Sequence, residues 1–291
     1  MNSKARKCIG YGLLLFIFVM GMAIAAFYDL KLSSALAGLS EMDGTLSLDV
    51  PPYAAALEII GEWPAVLICA AALLIAASVL SDNHRKRAGF FYITAGGIAA
   101  CLLLYGSVQT ANSLMDYVPD ILWAVLAACC LLLAAAGLIF IRKIPQKIRK
   151  RLFLPAVFTL AAALLILLSV SALKMLWGRL RLRELVALGS LDGFTPWYVP
   201  NFFSGSHSFP SGHTAHCTLT LMLPSWLPEK NKRARGVLTA LLAIFIGVMG
   251  ISRLAAGAHY LSDVLFGFSS AFVITEWMKH VLRQKQQERS A

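Results

Sequence analysis

Charged residues are scarce in this chain of 291 residues: Asp, Glu, Lys and Arg together make up only 14% of it. Soluble globular domains carry about 25% charged and about 45–50% apolar residues. Here 58% of the residues are hydrophobic. The shortage of charge excludes an ordinary soluble domain and predicts an all-α protein, a polytopic transmembrane helix bundle.

Other features are also missing. The six cysteines have neither zinc-site nor disulfide-framework spacing, and five of them lie within apolar segments, so we interpret them as small buried hydrophobes. The sequence shows no internal repeat, no low-complexity segment and no cluster of carboxylates that could bind a metal. These absences direct attention to the charges that are present.

Acidic residues are scarcer than basic ones, with 15 against 26, and the net charge is +11. Such a balance invites a nucleic-acid interpretation, but the positions of the basic residues argue against it. Twenty of the 26 fall in five short runs between apolar stretches, at 4–7, 85–87, 142–151, 230–235 and 279–289. This is the positive-inside pattern of cytoplasmic loops. We therefore expect a lipid bilayer, and no nucleic acid, as the partner.

The apolar stretches predict about eight spans with both termini inside, at 9–26, 65–80, 88–108, 121–141, 152–173, 210–227, 236–251 and 263–280. Residues 23–25 resemble a signal-peptide cleavage site, but the run is long for a signal core, and we prefer an uncleaved span. Residues 29–62 hold six acids and one Lys and are predicted to form an exterior loop. We expect four N-terminal spans in 1–151, a catalytic half in 152–282 and a basic cytoplasmic tail in 283–291.

Three polar clusters are all predicted to lie outside. The first contains Lys174 and Arg181 at the outer end of the fifth span. If helical, the two share a face and could grip an anion, although snorkelling to lipid phosphates is the alternative. Arg179 and Arg183 are interpreted as surface cations.

The second cluster is Pro210, Ser211, Gly212 and His213. Ser is a favoured N-cap, so this stretch predicts a helix N-terminus, which is a ready anion site. An ionisable residue at the mouth of a membrane helix is a functional hypothesis by default. His213 and His216 could be taken for a metal pair, but no third ligand is evident, and we predict no metal.

The third cluster contains Ser252, Arg253, His259 and Asp263. If this stretch is helical, His259 and Asp263 are i and i+4 on one face, so the carboxylate could orient the imidazole for attack. The alternative is a loop His beside a helix-capping Asp. Together the clusters supply cations, fixed donors, two histidines and an aspartate, which is the set that phosphoryl transfer needs.

These clusters resemble the type 2 phosphatidic acid phosphatase family, whose pattern is K-x6-RP, then PSGH, then SR-x5-H-x3-D. The second and third motifs match in full, whereas Leu182 stands where the first motif has Pro. The resemblance covers about residues 150–282 and implies a six-helix core. It implies a nucleophile in His259, its orienting carboxylate in Asp263 and a general acid in His213. The residues that it implies hold phosphate are Lys174, Arg181, Ser211, Gly212 and Arg253, with no metal or other cofactor.

The sequence and the resemblance together predict a metal-independent lipid phosphate phosphatase at the outer face of a bacterial cytoplasmic membrane. Candidate substrates are undecaprenyl pyrophosphate, phosphatidylglycerol phosphate, phosphatidic acid or a lipid A phosphate. A phosphotransferase with the same phosphohistidine is the nearest alternative. A transporter or flippase is disfavoured because the polar residues sit at span ends rather than mid-span, and an inactive scaffold because every proposed catalytic position is filled.

Overall fold

The structure is a computed structural model that describes residues 3–114, 119–202 and 204–290. These residues form a helical protein with one short β-hairpin, which confirms the predicted all-α class. The helices are α1 (Ser3–Leu36), α2 (Pro52–Ile60), α3 (Trp63–Asn83), α4 (Ala88–Leu114), α5 (Asp120–Lys143), α6 (Gln146–Trp177), α7 (Leu182–Ala187), α8 (Gly212–Leu219), α9 (Lys232–Ala255) and α10 (Leu261–Ser290). The hairpin pairs β1 (Ser40–Met42) with β2 (Thr45–Ser47), and 3₁₀ turns lie at Arg85–Arg87 and Thr220–Trp226.

Six of the described helical segments are long and apolar enough to cross a membrane, and they correspond to predicted spans one to five and seven. The predicted sixth span is helical over α8 and the following 3₁₀ turn, but this run is shorter than the ~20 residues that cross a bilayer. The predicted eighth span lies within α10, where polar residues such as Asp263 and Glu276 interrupt the apolar run. By length and composition, six of the eight predicted spans qualify.

The first helix is longer than the sequence pattern suggested. It continues ten residues beyond the predicted end at position 26, so that Asp29 lies inside α1 and is buried, with 2% of its surface exposed. The prediction of an exterior loop from residue 29 onwards was therefore wrong at its start. A buried carboxylate in a helix needs partners, and these belong to the candidate site below.

The chain divides into two compact units that are discontinuous in sequence. One comprises residues 1–57, 168–215 and 247–271, and the other comprises 58–167, 216–246 and 272–291. The second unit has an alanine-rich core, with Ala72, Ala99, Ala134 and Ala156 buried. Small side chains let membrane helices approach closely. All eight residues predicted to act on phosphate lie in the first unit.

Candidate active site

The turn between α9 and α10 positions the predicted nucleophile. Gly257 adopts φ +59°, which a glycine tolerates best, and its N–H donates to the carbonyl of Leu254 at 2.9 Å. The next N–H, that of Ala258, reaches back to the carbonyl of Arg253 at 3.1 Å. This pair of bonds is a Schellman motif, which ends the helix and fixes the direction of the exit. His259 follows at once, and its own N–H also donates to the Arg253 carbonyl at 3.2 Å.

Asp263 lies in the first turn of α10 and turns back over the start of that helix. Its Oδ2 accepts the N–H of Tyr260 at 2.9 Å and the hydroxyl of Ser208. The same Oδ2 lies 3.6 Å from Nδ1 of His259, slightly longer than a direct hydrogen bond. The two residues do not share one helix, because α10 begins only at Leu261. The structure shows the alternative, a loop histidine beside a helix-capping aspartate, and the capping carboxylate also faces the imidazole.

The protein environment strongly favours the neutral form of His259, of which 3% is exposed. Burial lowers the pKa of this imidazole to about 4, an effect that the adjacent Asp263 opposes and that the cations Lys174 and Arg181 reinforce. The influence of these two cations shows that the first motif lies close to the third. A neutral imidazole can act as a nucleophile because one ring nitrogen keeps its lone pair.

The second motif begins a helix, as predicted. Helix α8 starts at Gly212, and the hydroxyl of Ser211 accepts the N–H of Thr214 at 3.4 Å in the manner of an N-cap. The N–H of Ser211 donates to the carbonyl of Asp263 at 2.9 Å. A Cβ on Gly267 would lie 2.5 Å from the carbonyl oxygen of Ser211, so the backbones are in contact there. The start of α8 is thus held against the first two turns of α10.

The first motif reaches this place from two elements rather than from one helix face. Lys174 lies near the end of α6, and a Cβ on Gly212 would stand 3.4 Å from its Nζ. Arg181 lies beyond the end of α6, as the N-cap of α7, where its N–H donates to Glu184 at 2.8 Å. The condition for a shared helix face, one helix through both residues, is therefore not met, although both cations lie near His259.

Leu182 stands where the family pattern has proline, at a position that suits either residue. It is the first residue of α7, the helix position where proline is most acceptable and where other residues also fit. Its side chain is fully buried in a cluster with Ala37 and Tyr260. At this position the chain thus has a buried leucine side chain in place of the rigid proline of the family pattern.

Arg253, the third predicted cation, is fully buried. Its guanidinium donates to the carbonyl of Ala54 at 2.8 Å and to the hydroxyl of Ser252 at 3.3 Å. Its backbone carbonyl is the acceptor that anchors the turn bearing His259. The residue therefore joins α2 to the end of α9 within one unit.

Two further histidines, His213 and His216, lie in α8. His213 is its second residue and is half-buried. Nδ1 of His216 lies 3.5 Å from a carboxylate oxygen of Glu62, a contact that accounts for this histidine without a metal. Within the described part of the chain, no three His, Cys, Asp or Glu side chains are grouped to hold a metal ion.

Arg179 is the residue that the sequence interpretation placed wrongly. It was interpreted as a surface cation, yet its side chain is fully buried and forms ion pairs with Asp263 at 2.7 Å and with Asp29 at 2.9 Å. Ser262 accepts a further bond from the same guanidinium at 2.8 Å. One signal was available: Asp29 is a lone acid after a long apolar run, and such residues are expensive to bury without a partner.

The fold and these contacts define a helical membrane protein whose buried His–Asp pair is surrounded by cations, an arrangement suited to phosphoryl transfer. Residues 152–287 match the family model described as the PAP2 superfamily. Residues 152–287 thus form a PAP2 superfamily domain, and for this region the family predicted from the three motifs, the type 2 phosphatidic acid phosphatases, is confirmed.

One curated relative is phosphatidylglycerophosphatase B of Bacillus subtilis (strain 168), which is 31% identical over 107 residues. The aligned segment covers 34% of this chain and 51% of the relative, so the chain spans about half the length of that protein. No solved structure matches the chain.

Proposed function

We propose that this protein is a lipid phosphate phosphatase that hydrolyses a phosphate ester or pyrophosphate on a membrane lipid through a phosphohistidine. The PAP2 superfamily domain and the named relative support a phosphatase of lipids. The observation that carries the mechanism is the approach of Nδ1 of His259 to the buried carboxylate of Asp263, at 3.6 Å.

In the first step, Nε2 of His259 attacks phosphorus. With Nδ1 facing Asp263, the proton rests on Nδ1 and the lone pair is on Nε2. As the N–P bond forms, positive charge develops on the imidazole, and the carboxylate stabilises it. The P–O bond to the lipid breaks at the same time, and its electron pair leaves on the lipid oxygen.

His213 gives its proton to that leaving oxygen. Because the leaving group departs opposite the nucleophile, the acid has to approach from the side away from His259. In the second step, water attacks phosphorus, His213 takes a proton from it, and the N–P bond breaks to release phosphate. This mechanism uses no metal ion and no cofactor.

The cations and donors hold the phosphate oxygens. Lys174 and Arg181 lie near enough to His259 to lower its pKa, so a phosphate bound beside the imidazole would lie within their field. Gly212 at the start of α8 brings backbone N–H groups close to Lys174. Ser211 and Arg253 complete the set, in keeping with the roles that the family pattern implies.

Phosphatidylglycerol phosphate is the first substrate to test, because the B. subtilis relative carries that activity in its name. Undecaprenyl pyrophosphate, phosphatidic acid and a lipid A phosphate also carry a terminal phosphoryl group on a lipid. We place the protein in a bacterial cytoplasmic membrane with its site at the outer face, since the basic runs mark the opposite side as cytoplasmic.

A phosphate-release assay on these lipids, with chelator present and no acceptor added, tests the proposal. The wild type should release phosphate, and His259→Ala should lower kcat by ~10³-fold or more because it removes the nucleophile. Vanadate, which mimics five-coordinate phosphorus, should inhibit. The control is His207→Ala, which alters an exposed loop histidine and should leave kcat within about twofold.

Full activity in His259→Ala, or strict dependence on an added metal, would refute this mechanism. Loss of phosphate from the lipid that occurs only when an acceptor alcohol is supplied, with the phosphoryl group recovered on that alcohol, would instead identify a phosphotransferase.

A further inference from the structure

A buried carboxylate from outside the family-matched region contacts the residues that hold the nucleophile. Asp29 belongs to α1, whereas the PAP2 superfamily match begins at residue 152. Its two oxygens accept bonds from Arg179 at 2.9 Å, from the N–H of Ser262 at 3.0 Å and from the hydroxyl of Ser262. Every one of these partners is a donor, which is the environment of an ionised carboxylate.

Arg179 connects this carboxylate to Asp263. One guanidinium nitrogen donates to Asp29, while the other donates to Oδ1 of Asp263 at 2.7 Å and to Ser262 at 2.8 Å. The guanidinium also lies over the ring of Tyr260, 4.1 Å from its centroid. A planar fork held at several points has little freedom to rotate.

The two oxygens of Asp263 therefore have separate partners. Oδ1 is bound by Arg179, and Oδ2 is left to Ser208, to the N–H of Tyr260 and to the imidazole of His259. If the guanidinium shifted, the carboxylate could rotate, and its alignment with Nδ1 would be lost.

The net charge of this group also bears on the reaction. Two ionised carboxylates and one guanidinium carry one net negative charge among side chains that are almost fully buried. That excess is compensated at the moment when attack on phosphorus makes the imidazole of His259 positive. The arrangement is therefore matched to the phosphorylated form of the site as well as to the resting form.

We propose that Asp29 is a positioning residue for the catalytic pair: it fixes the guanidinium of Arg179, which holds Asp263 in the orientation that faces His259. This inference rests on the proposed function, since it assigns Asp29 a part in the same reaction. Asp29 acts through Arg179 and does not touch the lipid.

The test replaces Asp29 by asparagine, which keeps the shape but offers one acceptor oxygen to three donors. We expect kcat to fall about ten- to a hundredfold, because small misplacements of a nucleophile cost rate on this scale. KM should stay within about threefold, since no substrate contact is lost. The value of kcat is expressed per vanadate-binding site, so that a loss of folded protein is not counted as a loss of rate. The matched control is Glu41→Gln, an exposed carboxylate in β1.

A second readout needs no substrate. In ¹⁵N-histidine spectra of the resting protein, His259 should show a proton on Nδ1 in the wild type and a mixture of tautomers in Asp29→Asn. A kcat within twofold of the wild type, a loss explained entirely by fewer vanadate sites, or an unchanged His259 spectrum would each overturn the inference.

Ser262→Ala covers the case in which Asp29→Asn does not fold. It keeps all three charges and removes only the hydroxyl between Asp29 and Arg179, so kcat should fall several-fold with KM retained. Wild-type kcat in Ser262→Ala would contradict the inference. Activity retained in His259→Ala would refute the proposed function instead, and in that case the tautomer readout still decides the role of Asp29.

Discussion

In the proposed mechanism, Asp263 serves both the fold and the reaction. The carboxylate that closes the first turn of α10 is the same one that faces the imidazole, so a helix cap supplies the rigidity that the reaction requires. Ser208 and Arg179 occupy its remaining positions. Any change that loosens the cap is therefore expected to loosen the proposed catalytic pair as well.

The protonation of His259 can be measured directly. Because burial lowers its pKa to about 4, the imidazole should stay neutral down to about pH 5, whereas in the unfolded chain it takes up a proton near pH 6.5. The contribution of the neutral form to stability is thus complete above about pH 6.5 and is lost as the pH falls toward about 4. The full loss is about 3 kcal/mol.

Titration of ¹⁵N-histidine-labelled protein in detergent, with the signal identified by its loss in His259→Ala, checks this expectation. The denatured protein is the control. A midpoint at or above pH 6.5 in the folded state would contradict it.

Residue identity alone predicted part of the site. Ser211 was identified as an N-cap because the preference of Ser for that position is local. The partners of Arg179 could not be predicted, since Asp29 is 150 residues away in the chain and only the packed fold brings the two together. A buried ion pair of this kind has no periodicity that a sequence pattern could reveal.

At the level of elements, the contact between α8 and α10 sets the site. Gly267 allows the backbone of Ser211 to approach, and Gly178 and Gly257 end α6 and α9 with positive φ. The sequence predicted the helices from their apolar runs, but it did not predict that both motif pairs are interrupted by turns. The spacing of Lys174 and Arg181, or of His259 and Asp263, suits one helix equally well, and only these turns exclude that alternative.

Gly267→Ala should therefore lower activity at least tenfold, because its Cβ would lie 2.5 Å from the Ser211 carbonyl and would push the second motif away from the third. Gly247→Ala in α9 is the matched control, since no atom within 4 Å would meet its Cβ and alanine favours the helix by up to ~1 kcal/mol. Phosphate release by the two purified variants, measured beside their unfolding temperatures, separates the effects. Equal activity in both variants would show that this contact is not needed.

For the whole molecule, composition was a sufficient guide to class. The low charge and the apolar runs predicted a helical membrane bundle, and six described segments are long and apolar enough to cross a membrane. Composition could not predict the length of α1 or the division of the chain into two units that are discontinuous in sequence. Where a helix ends near a polar residue depends on the tertiary partners of that residue. Asp29 can remain within α1 because Arg179 and Ser262 donate hydrogen bonds to its carboxylate.

The basic runs predict the orientation of the bundle, which can be tested with reporters. Alkaline phosphatase inserted at the turn of the hairpin, between Asp43 and Gly44, should be active because that turn is expected to lie outside. Green fluorescent protein fused after Gln287 should fluoresce, since the basic tail is expected inside. Exchanging the two reporters provides the control, and activity in the exchanged positions would reverse the orientation.

The ion pair between Asp29 and Arg179 also limits how the PAP2 superfamily domain can be reused. A chimera that joined residues 152–287 to an unrelated membrane anchor would inherit the guanidinium without one of its two counter-ions. The transplanted motifs would all be present, yet the anchor would have to supply a carboxylate at the same depth. In protein engineering, α1 should therefore be transferred together with residues 152–287.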